Sequence, residues 1–297
     1  TTPPHIISQL SYCKCQSLKL SVISTKMSTS AFDVIDGNNT VIIDQKENRL
    51  EGCCKCLGCC CIDFSNQYDW IIDDKVRFTA MENSGNCTRF CCNPNHALTL
   101  NVTSRGDKRN LVVVRRPFKG CCFAICCCRK EITVEHEGVT IGHVKQPTCG
   151  GCMRPKLDLY NTVASRSVGT LTGPACCIGG CCGGLAFNIL DKDNENVDVA
   201  RIKKAGAREV GLRRGLFSDA DKYKVDFLSE KLTLDDKLIL LSTAMFIDYL
   251  FFEGETTCLV NCCTCPPQIW CKLCEVYCCG CACPCRAKCC IAEEEDK

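Results

Sequence analysis

The segment KLILLSTAMFIDYLFFEGE, Lys237 to Glu255, constrains the fold of this chain more than any other stretch. Its apolar part, Leu238 to Phe252, is hydrophobic on every side, which excludes an amphipathic surface helix and requires burial in protein or in lipid. The run TLDD at 233–236 offers an N-cap and acidic first-turn residues, and Gly254 offers a stop. About 15 residues at 1.5 Å rise cover about 22 Å, short of the ~30 Å hydrocarbon core of a bilayer. Asp248, in the interior of the run, adds an insertion cost of about 2.5–3.5 kcal/mol near the bilayer centre. We therefore read Leu238, Leu241, Met245, Asp248 and Phe252 as residues of a helix at the centre of a β-barrel. A single-pass membrane anchor is the competing reading.

The sequence before the helix supports a barrel. Between Tyr68 and Phe227 apolar and polar residues alternate in short runs separated by turn formers, the pattern of successive antiparallel strands. VRFTAM sets Val76, Phe78 and Ala80 on one face, and ALTLNV does the same with Leu98, Leu100 and Val102. EITVEHEGVTIGHV reads as a hairpin with Ile132 and Val134 facing Val139 and Ile141. LAFNILDKDNENVDVARI reads as a second, with Leu185, Phe187 and Ile189 facing Val197 and Val199. Many hairpins and one long helix predict an all-β fold, and closing the sheet removes its exposed edges. Three regions follow: a Cys-rich, partly disordered segment at 1–65, a barrel at 66–253 with its central helix at 233–253, and a Cys-rich tail at 254–297. The chain begins without Met, and Met27 opens MSTSAFDVIDG, so residues 1–26 are assigned no function.

The 297 residues include 35 cysteines, and the formal net charge is only +2. So small a charge supplies no global drive toward nucleic acid, and no nucleic-acid partner is expected. The opening TTPPHIISQLSYCKCQ lacks a basic region followed by an apolar one, so thiols on a cytosolic face, mostly reduced, are expected. Adjacent cysteine doublets are poorly placed to bridge each other. S-acylation has no such constraint. In RRPFKGCCFAICCCRKE the thiols of Cys121, Cys122, Cys126, Cys127 and Cys128 stand among Arg115, Arg116, Lys119, Arg129 and Lys130. Each basic residue near an anionic leaflet contributes about 1 kcal/mol and each buried acyl methylene about 0.8 kcal/mol, so fatty chains plus this patch anchor a protein to a membrane surface. The plainer alternative is an unmodified surface loop. C-x-x-C spacings, among them Cys262/Cys265 and Cys271/Cys274 in the tail, also permit a zinc site, while a tail facing the outside would favour disulfides.

Together these residues resemble the phospholipid scramblases. The matching pieces are FTAMENSGNCTRFCCNPNHALTL, VVRRPFKGCCFAICCCRKEITV with GVTIGHVKQ, TGPACCIGGCCGGLAFNI, LFSDADKYKVDF and FIDYLFFE, in order along roughly residues 66 to 253. The resemblance implies a Tubby-like β-barrel around a hydrophobic C-terminal helix, palmitoylation of the Cys121–Cys128 segment, and calcium-dependent, ATP-independent movement of phospholipids between leaflets at the plasma membrane. It also places a calcium loop on DADKYKVDFLSE, with Asp219, Asp221 and Glu230 at donor positions and Asp226 as a substitute donor. Lys224 stands where a tight calcium loop carries Gly, and KYKVDF by itself alternates as a strand does. ARIKKAGAREVGLRR, where some family members carry a nuclear-import segment, reads here as a solvated strand and turn.

Three classes of function follow: lipid translocation, a palmitoylated adaptor that binds lipid or protein without moving lipid, and an enzyme. The last is disfavoured, because none of His5, His96, His136 and His143 falls in a nucleophile motif. Translocation requires a hydrated path, so a closed barrel with one short helix has to oligomerise or open.

Overall fold

The computed structural model describes residues 32–46, 65–85, 95–105, 109–119, 129–174, 184–194, 197–206 and 221–252, together with the backbone of three strands in the tail. Twelve strands form a closed barrel: β1 (Thr40–Gln45), β2 (Gln67–Ile72), β3 (Lys75–Asn83), β4 (Leu98–Ser104), β5 (Val112–Arg116), β6 (Glu131–His136), β7 (Val139–Lys145), β8 (Lys156–Asn161), β9 (Arg166–Thr172), β10 (Leu185–Leu190), β11 (Asp198–Lys204) and β12 (Lys222–Phe227). Each strand pairs antiparallel with its neighbour in sequence, and β1 closes the ring on β12, with Thr40 opposite Asp226 and Ile43 opposite Tyr223. An even number of strands is what allows every pair, including the closing one, to be antiparallel.

The barrel begins earlier than the residue 66 expected from sequence. TVIIDQ alternates correctly, with Val41, Ile43 and Gln45 buried. A cysteine-rich stretch separates it from the next strand and hides its kinship with the rest. Two expected inward residues, Val139 and Val197, are exposed. At Val139 the cause is visible: the β6–β7 pairing shifts register between Val134 and Glu135, which moves the end of the hairpin out of phase. Glu137 (φ 51°) and Gly138 (φ 81°) make the two-residue turn.

A barrel of about eight strands can fill its interior with side chains, and twelve leave a wider lumen. Here that lumen is filled by helix α1 (Leu234–Ile247), continued by one π-helical turn at Asp248–Phe252. Leu238, Leu241 and Met245 are fully buried, and Asp248 and Phe252 nearly so. No helix among the described residues is long and apolar enough to cross a membrane. The competing single-pass reading of residues 238–252 is therefore replaced by a core helix, because the strand wall supplies the apolar surroundings that lipid would otherwise have to supply. The buried hydroxyls of Ser242 and Thr243 donate to the carbonyls of Leu238 (2.8 Å) and Ile239 (2.7 Å), so they cost little inside the core.

Both ends of α1 are fastened. Thr233 Oγ1 accepts from the Asp236 N–H (3.3 Å) and Asp236 Oδ2 accepts from the Thr233 N–H (2.9 Å), a capping box worth about 1 kcal/mol. Asp236 also receives Asn161 Nδ2 (2.7 Å) and pairs with Arg166. Lys237 Nζ donates to the carbonyls of Ile35 (3.3 Å), Asn38 (3.4 Å) and Asp36. A helical turn at 32–36 thus covers this end of the lumen, with Phe32 stacked on Phe78 at 5.2 Å. In the tail, β13 (Cys258–Asn261), β14 (Gln268–Cys278) and β15 (Cys281–Cys289) pair antiparallel as a separate three-stranded sheet.

The helix packs directly on Gly142 of β7, where an added Cβ would collide with Ile239 Cδ1 and come within 2.5 Å of the Tyr160 carbonyl oxygen. Gly142→Ala is expected to destabilise the protein by about 1–3 kcal/mol through overpacking, measured as a lower urea midpoint with an unchanged slope.

Candidate functional site

Because the strands alternate in direction, the connections β1–β2, β3–β4, β5–β6, β7–β8, β9–β10 and β11–β12 all leave from one end of the barrel. Every cysteine between Cys53 and Cys182 falls in this set. The five connections at the opposite end contain none, and they include turns as tight as Asp73-Asp74 and Glu137-Gly138. The connections that carry the clusters therefore all leave from one rim, by the alternation of the strands alone. α1 enters from the opposite end, and Asp248 lies at its cysteine-side terminus. Cys121, Cys122, Cys126, Cys127 and Cys128 themselves lie outside the described residues, between β5 and β6.

Beneath this rim the lumen turns polar. Asp248 is buried and receives hydrogen bonds from Tyr68 Oη (2.6 Å, to Oδ2) and Tyr223 Oη (2.9 Å, to Oδ1). Burial, then the charge of Asp221, holds its carboxyl well above the usual carboxylate range, while Lys204 and the Tyr68 hydrogen bond act in the opposite direction. Burial beside Asp248 and Asp221 likewise raises the phenol of Tyr223. Lys204 Nζ pairs with Asp221 at 2.5 Å and lies 3.5 Å over the ring of Phe252. Gln45 ties the cluster to the neighbouring strands, accepting from the Asp221 N–H (2.8 Å) and donating to Asn66 Oδ1 (3.0 Å).

One helical residue further on, Tyr249 Oη donates to Glu82 Oε2 at 2.8 Å. Burial opposes ionisation of Glu82. Hydrogen bonds from His96 (3.2 Å), the Ser84 hydroxyl, the Asn66 N–H (3.0 Å) and Tyr249 outweigh it and lower the carboxyl to about 2. Arg116 Nε and Nη2 donate to the His96 carbonyl (3.1 and 2.9 Å), and its guanidinium lies 5.1 Å from the Tyr249 ring centre. Sequence reasoning counted Arg116 in the basic patch around the cysteines, whereas it is buried in the lumen, and gave Glu82, His96 and Tyr249 no role here, yet a signal existed. Glu82 occupies the inward parity of β3 after Phe78 and Ala80, and Arg116 that of β5 after Val112 and Val114. A charged residue continuing an inward apolar series marks a buried network.

Of the residues expected to bind calcium, the three that are described, Asp221, Asp226 and Glu230, are not brought together. Asp219 lies outside the described residues. Asp221 precedes β12 and is engaged by Lys204 and by Tyr223 Oη (3.3 Å). Asp226 lies five residues further along an extended strand, about 16 Å away at the usual rise. There it faces outward, accepting from Thr40 Oγ1 (2.9 Å) and pairing with Lys224 (3.0 Å). Glu230 is exposed beyond the strand. KYKVDF is a barrel strand with Tyr223, Val225 and Phe227 buried, an extended course unlike that of a twelve-residue calcium loop. Among the described residues, no group of three or more His, Cys, Asp or Glu is placed to hold a metal ion. Of the proposed tail ligands, Cys262 and Cys265 lie outside the described residues, and Cys271 and Cys274 are on β14.

The scramblase family model matches residues 20–254 of the chain. Phospholipid scramblase 2 of Bos taurus is 33% identical over 181 residues, 59% of this chain and 57% of that protein. Phospholipid scramblase 1 of Mus musculus is 33% identical over 181 residues, covering 51% of its length, and that of Homo sapiens 33% over 182 residues, covering 53%. The chain thus spans little more than half the length of these curated relatives. No solved structure matches it.

The two buried carboxyls predict opposite pH dependences. Glu82, lowered to about 2, contributes stability above its ordinary value near 4.5 that is lost as pH falls toward 2, about 3 kcal/mol in all. Asp248, raised, keeps a proton in the folded state that the unfolded chain gives up near pH 4, so its contribution is lost as pH rises through and above that value. Glu82→Gln is expected to remove the acid-side slope of a pH series of denaturation midpoints, and Asp248→Asn to remove the other.

Proposed function

The chain belongs to the scramblase family, and from that premise we propose that it moves phospholipids between the leaflets of a membrane, in both directions, without ATP and in response to calcium. It does so while held at the cytoplasmic face of the plasma membrane by S-acylation of Cys121, Cys122, Cys126, Cys127 and Cys128. The observation that carries this reading is the enclosure of α1: with its apolar helix consumed by the barrel, the protein attaches to lipid through something else. The gathering of the cysteine-bearing connections at one end supports that end as the attachment face. Arg115, Lys119, Arg129 and Lys130 flank the five cysteines there. The phospholipid scramblases of cattle, mouse and man at 33% identity support the activity.

Calcium responsiveness belongs, in this reading, to the residues that lead into β12, Asp219 and Asp221, two apart in the sequence. Asp226 and Glu230 lie elsewhere, and Lys204 already neutralises Asp221. A second reading, an acylated lipid- or protein-binding adaptor, is favoured by the filled lumen. A headgroup crossing hydrocarbon needs a wet path, and a closed barrel packed around α1 provides one only by opening or by assembling with other copies.

The deciding experiment is fluorescent-lipid scrambling by the acylated protein in liposomes, with and without calcium. Calcium-stimulated exchange between leaflets is expected for the wild type and is expected to be lost in Asp219→Ala. Vesicle binding without exchange would leave the adaptor reading standing. Replacing the five cysteines with Ala is expected to shift the protein from the membrane to the soluble fraction, and unchanged fractionation would overturn acylation as the attachment.

A further inference from the structure

The tail sheet carries a pattern that none of the preceding sites uses. Its register sets Cys258 opposite Cys271, Cys274 opposite Cys285 and Cys278 opposite Cys281. In a plain strand Cys271 and Cys274, three apart, would fall on opposite faces. Here the β14–β15 register shifts between Lys272 and Cys274, so Leu273 is an extra residue and both cysteines keep one face. Cys283 and Cys289 share that face by the alternation of β15, standing opposite Val276 and Ile269. Every cysteine of β13, β14 and β15 therefore falls on a single face, whose remaining positions are Val260, Ile269, Val276 and Ala287. The other face takes all the charge: Lys272, Glu275, Arg286 and Lys288.

A face made of thiols and hydrocarbon offers a ligand sulfur and no carboxylate or imidazole, and that chemistry selects soft metal ions over calcium or magnesium. Opposed residues on one face of an antiparallel pair have Cβ atoms about 4.5–5.5 Å apart, a gap that one ion bridges between two thiolates. The order of the rungs chooses among soft ions. Zinc in a structural site takes four ligands in a tetrahedron. In this register no two successive rungs are both cysteine pairs, because Val276 opposes Cys283 and Ala287 opposes Cys271. The face thus offers pairs and threes of thiols, the digonal and trigonal sulfur sets that suit monovalent copper. Cys283 completes such a three with the Cys278–Cys281 rung on one side or the Cys274–Cys285 rung on the other. Charge points the same way. Lys272 stands directly opposite Arg286, next to the Cys274–Cys285 rung, and like charges so placed repel. Copper held by more thiolates than its single charge balances is anionic and offsets that repulsion, and the same cations favour thiolate over thiol.

We propose that this face binds monovalent copper as a thiolate cluster, with Cys274, Cys278, Cys281, Cys283 and Cys285 at its centre. Each thiol that takes up the ion exchanges its S–H bond for a Cu–S bond and releases the proton to solvent, with no change in oxidation state. The thiols are reduced because of where the tail begins. Phe252, shortly before β13, lies within the barrel, so α1 does not carry the tail across a bilayer. The tail therefore starts on the side of the membrane that the barrel occupies, which the reading above makes the cytoplasmic, reducing one. Only this supply of reduced thiols rests on the proposed function, and the binding itself needs neither lipid nor calcium.

The test is anaerobic titration of the full chain, reduced and produced without acylation, with Cu(I) in competition with a chromogenic Cu(I) chelator. The wild type is expected to withdraw copper from the chelator and to develop sulfur-to-copper charge-transfer absorption. Cys274→Ser with Cys283→Ser and Cys285→Ser is expected to weaken binding at least about tenfold without altering thermal unfolding of the barrel. The control removes the same number of thiols from the connection between β13 and β14, Cys262→Ser with Cys263→Ser and Cys265→Ser, and is expected to bind as the wild type does. A second variant exchanges neighbours on β15, Ala282→Cys with Cys283→Ala, which keeps the composition but places one thiol on the other face, and it too is expected to bind more weakly. Wild-type affinity in either face variant, or an equal loss in the control, would overturn the site. Zinc held by the wild type as a four-sulfur centre, in the same competition, would overturn the choice of copper. Alkylation of the isolated chain, denatured with chelator before any reductant, is expected to label the strand cysteines, and cross-strand disulfides found there would overturn the reduced face. A chain that binds copper yet moves no lipid would remove the transport reading alone.

Discussion

The structure depends on a mutual requirement between α1 and the sheet. A helix apolar on every side has no stable place in water, and a ring of twelve strands has a lumen too wide for its own side chains to fill. Each supplies what the other lacks. Leu238, Ile239, Leu240, Leu241, Ala244 and Met245 present apolar surface in all directions, and inward residues of the strands receive it all round. At Gly142 the wall and helix approach so closely that not even a methyl group fits between them. The short length that argues against a membrane span is the length that suits strands of five to nine residues.

The polar groups are placed where this arrangement ends. At one mouth Asp236 and Lys237, consecutive and of opposite charge, point to different partners: Asp236 to Asn161 and Arg166, Lys237 to the carbonyls of the 32–36 turn. At the other mouth Asp248 and Tyr249, again consecutive, reach Tyr68 and Tyr223 on one side and Glu82 on the other. Each buried ionisable group on the helix thus ties it to a different arc of the wall. Burial and the neighbouring Asp221 disfavour a charge on Asp248, whereas Glu82 is held low because four donors surround it.

The architecture was legible in the sequence because its signals are periodic. Alternation marked β3, β4, β6, β10 and β12, all-round hydrophobicity marked α1, and TLDD marked its cap. The strand nature of KYKVDF was visible too, and it is what separates Asp221 from Asp226. What could not be read was non-periodic. TVIIDQ is an isolated alternating run whose partner, β12, lies some 180 residues away, so nothing local reveals that it closes the ring. Val139 looked inward because a register shift leaves no trace in composition. The Glu82–His96–Arg116–Tyr249 network draws on three strand-end segments and the helix, and only the odd charged residue on an inward face hinted at it. The cysteine face of the tail sheet depends on a bulge at Leu273, which exists only once the strands are in register.

The order of the elements along the chain has a consequence for how the protein is made. The core helix comes after all twelve strands, and ring closure joins β1 to β12 across nearly the whole barrel sequence. During synthesis the sheet therefore leaves the ribosome before the surface it must pack on: both sheet edges stand open until β12 has emerged, and the inward apolar faces lack their partner until the helix has followed. Such non-local contacts also form slowly. A product truncated ahead of residue 234 is thus not a smaller version of the protein but a set of twelve strands without the helix that fills their lumen, a substrate for chaperones and proteases.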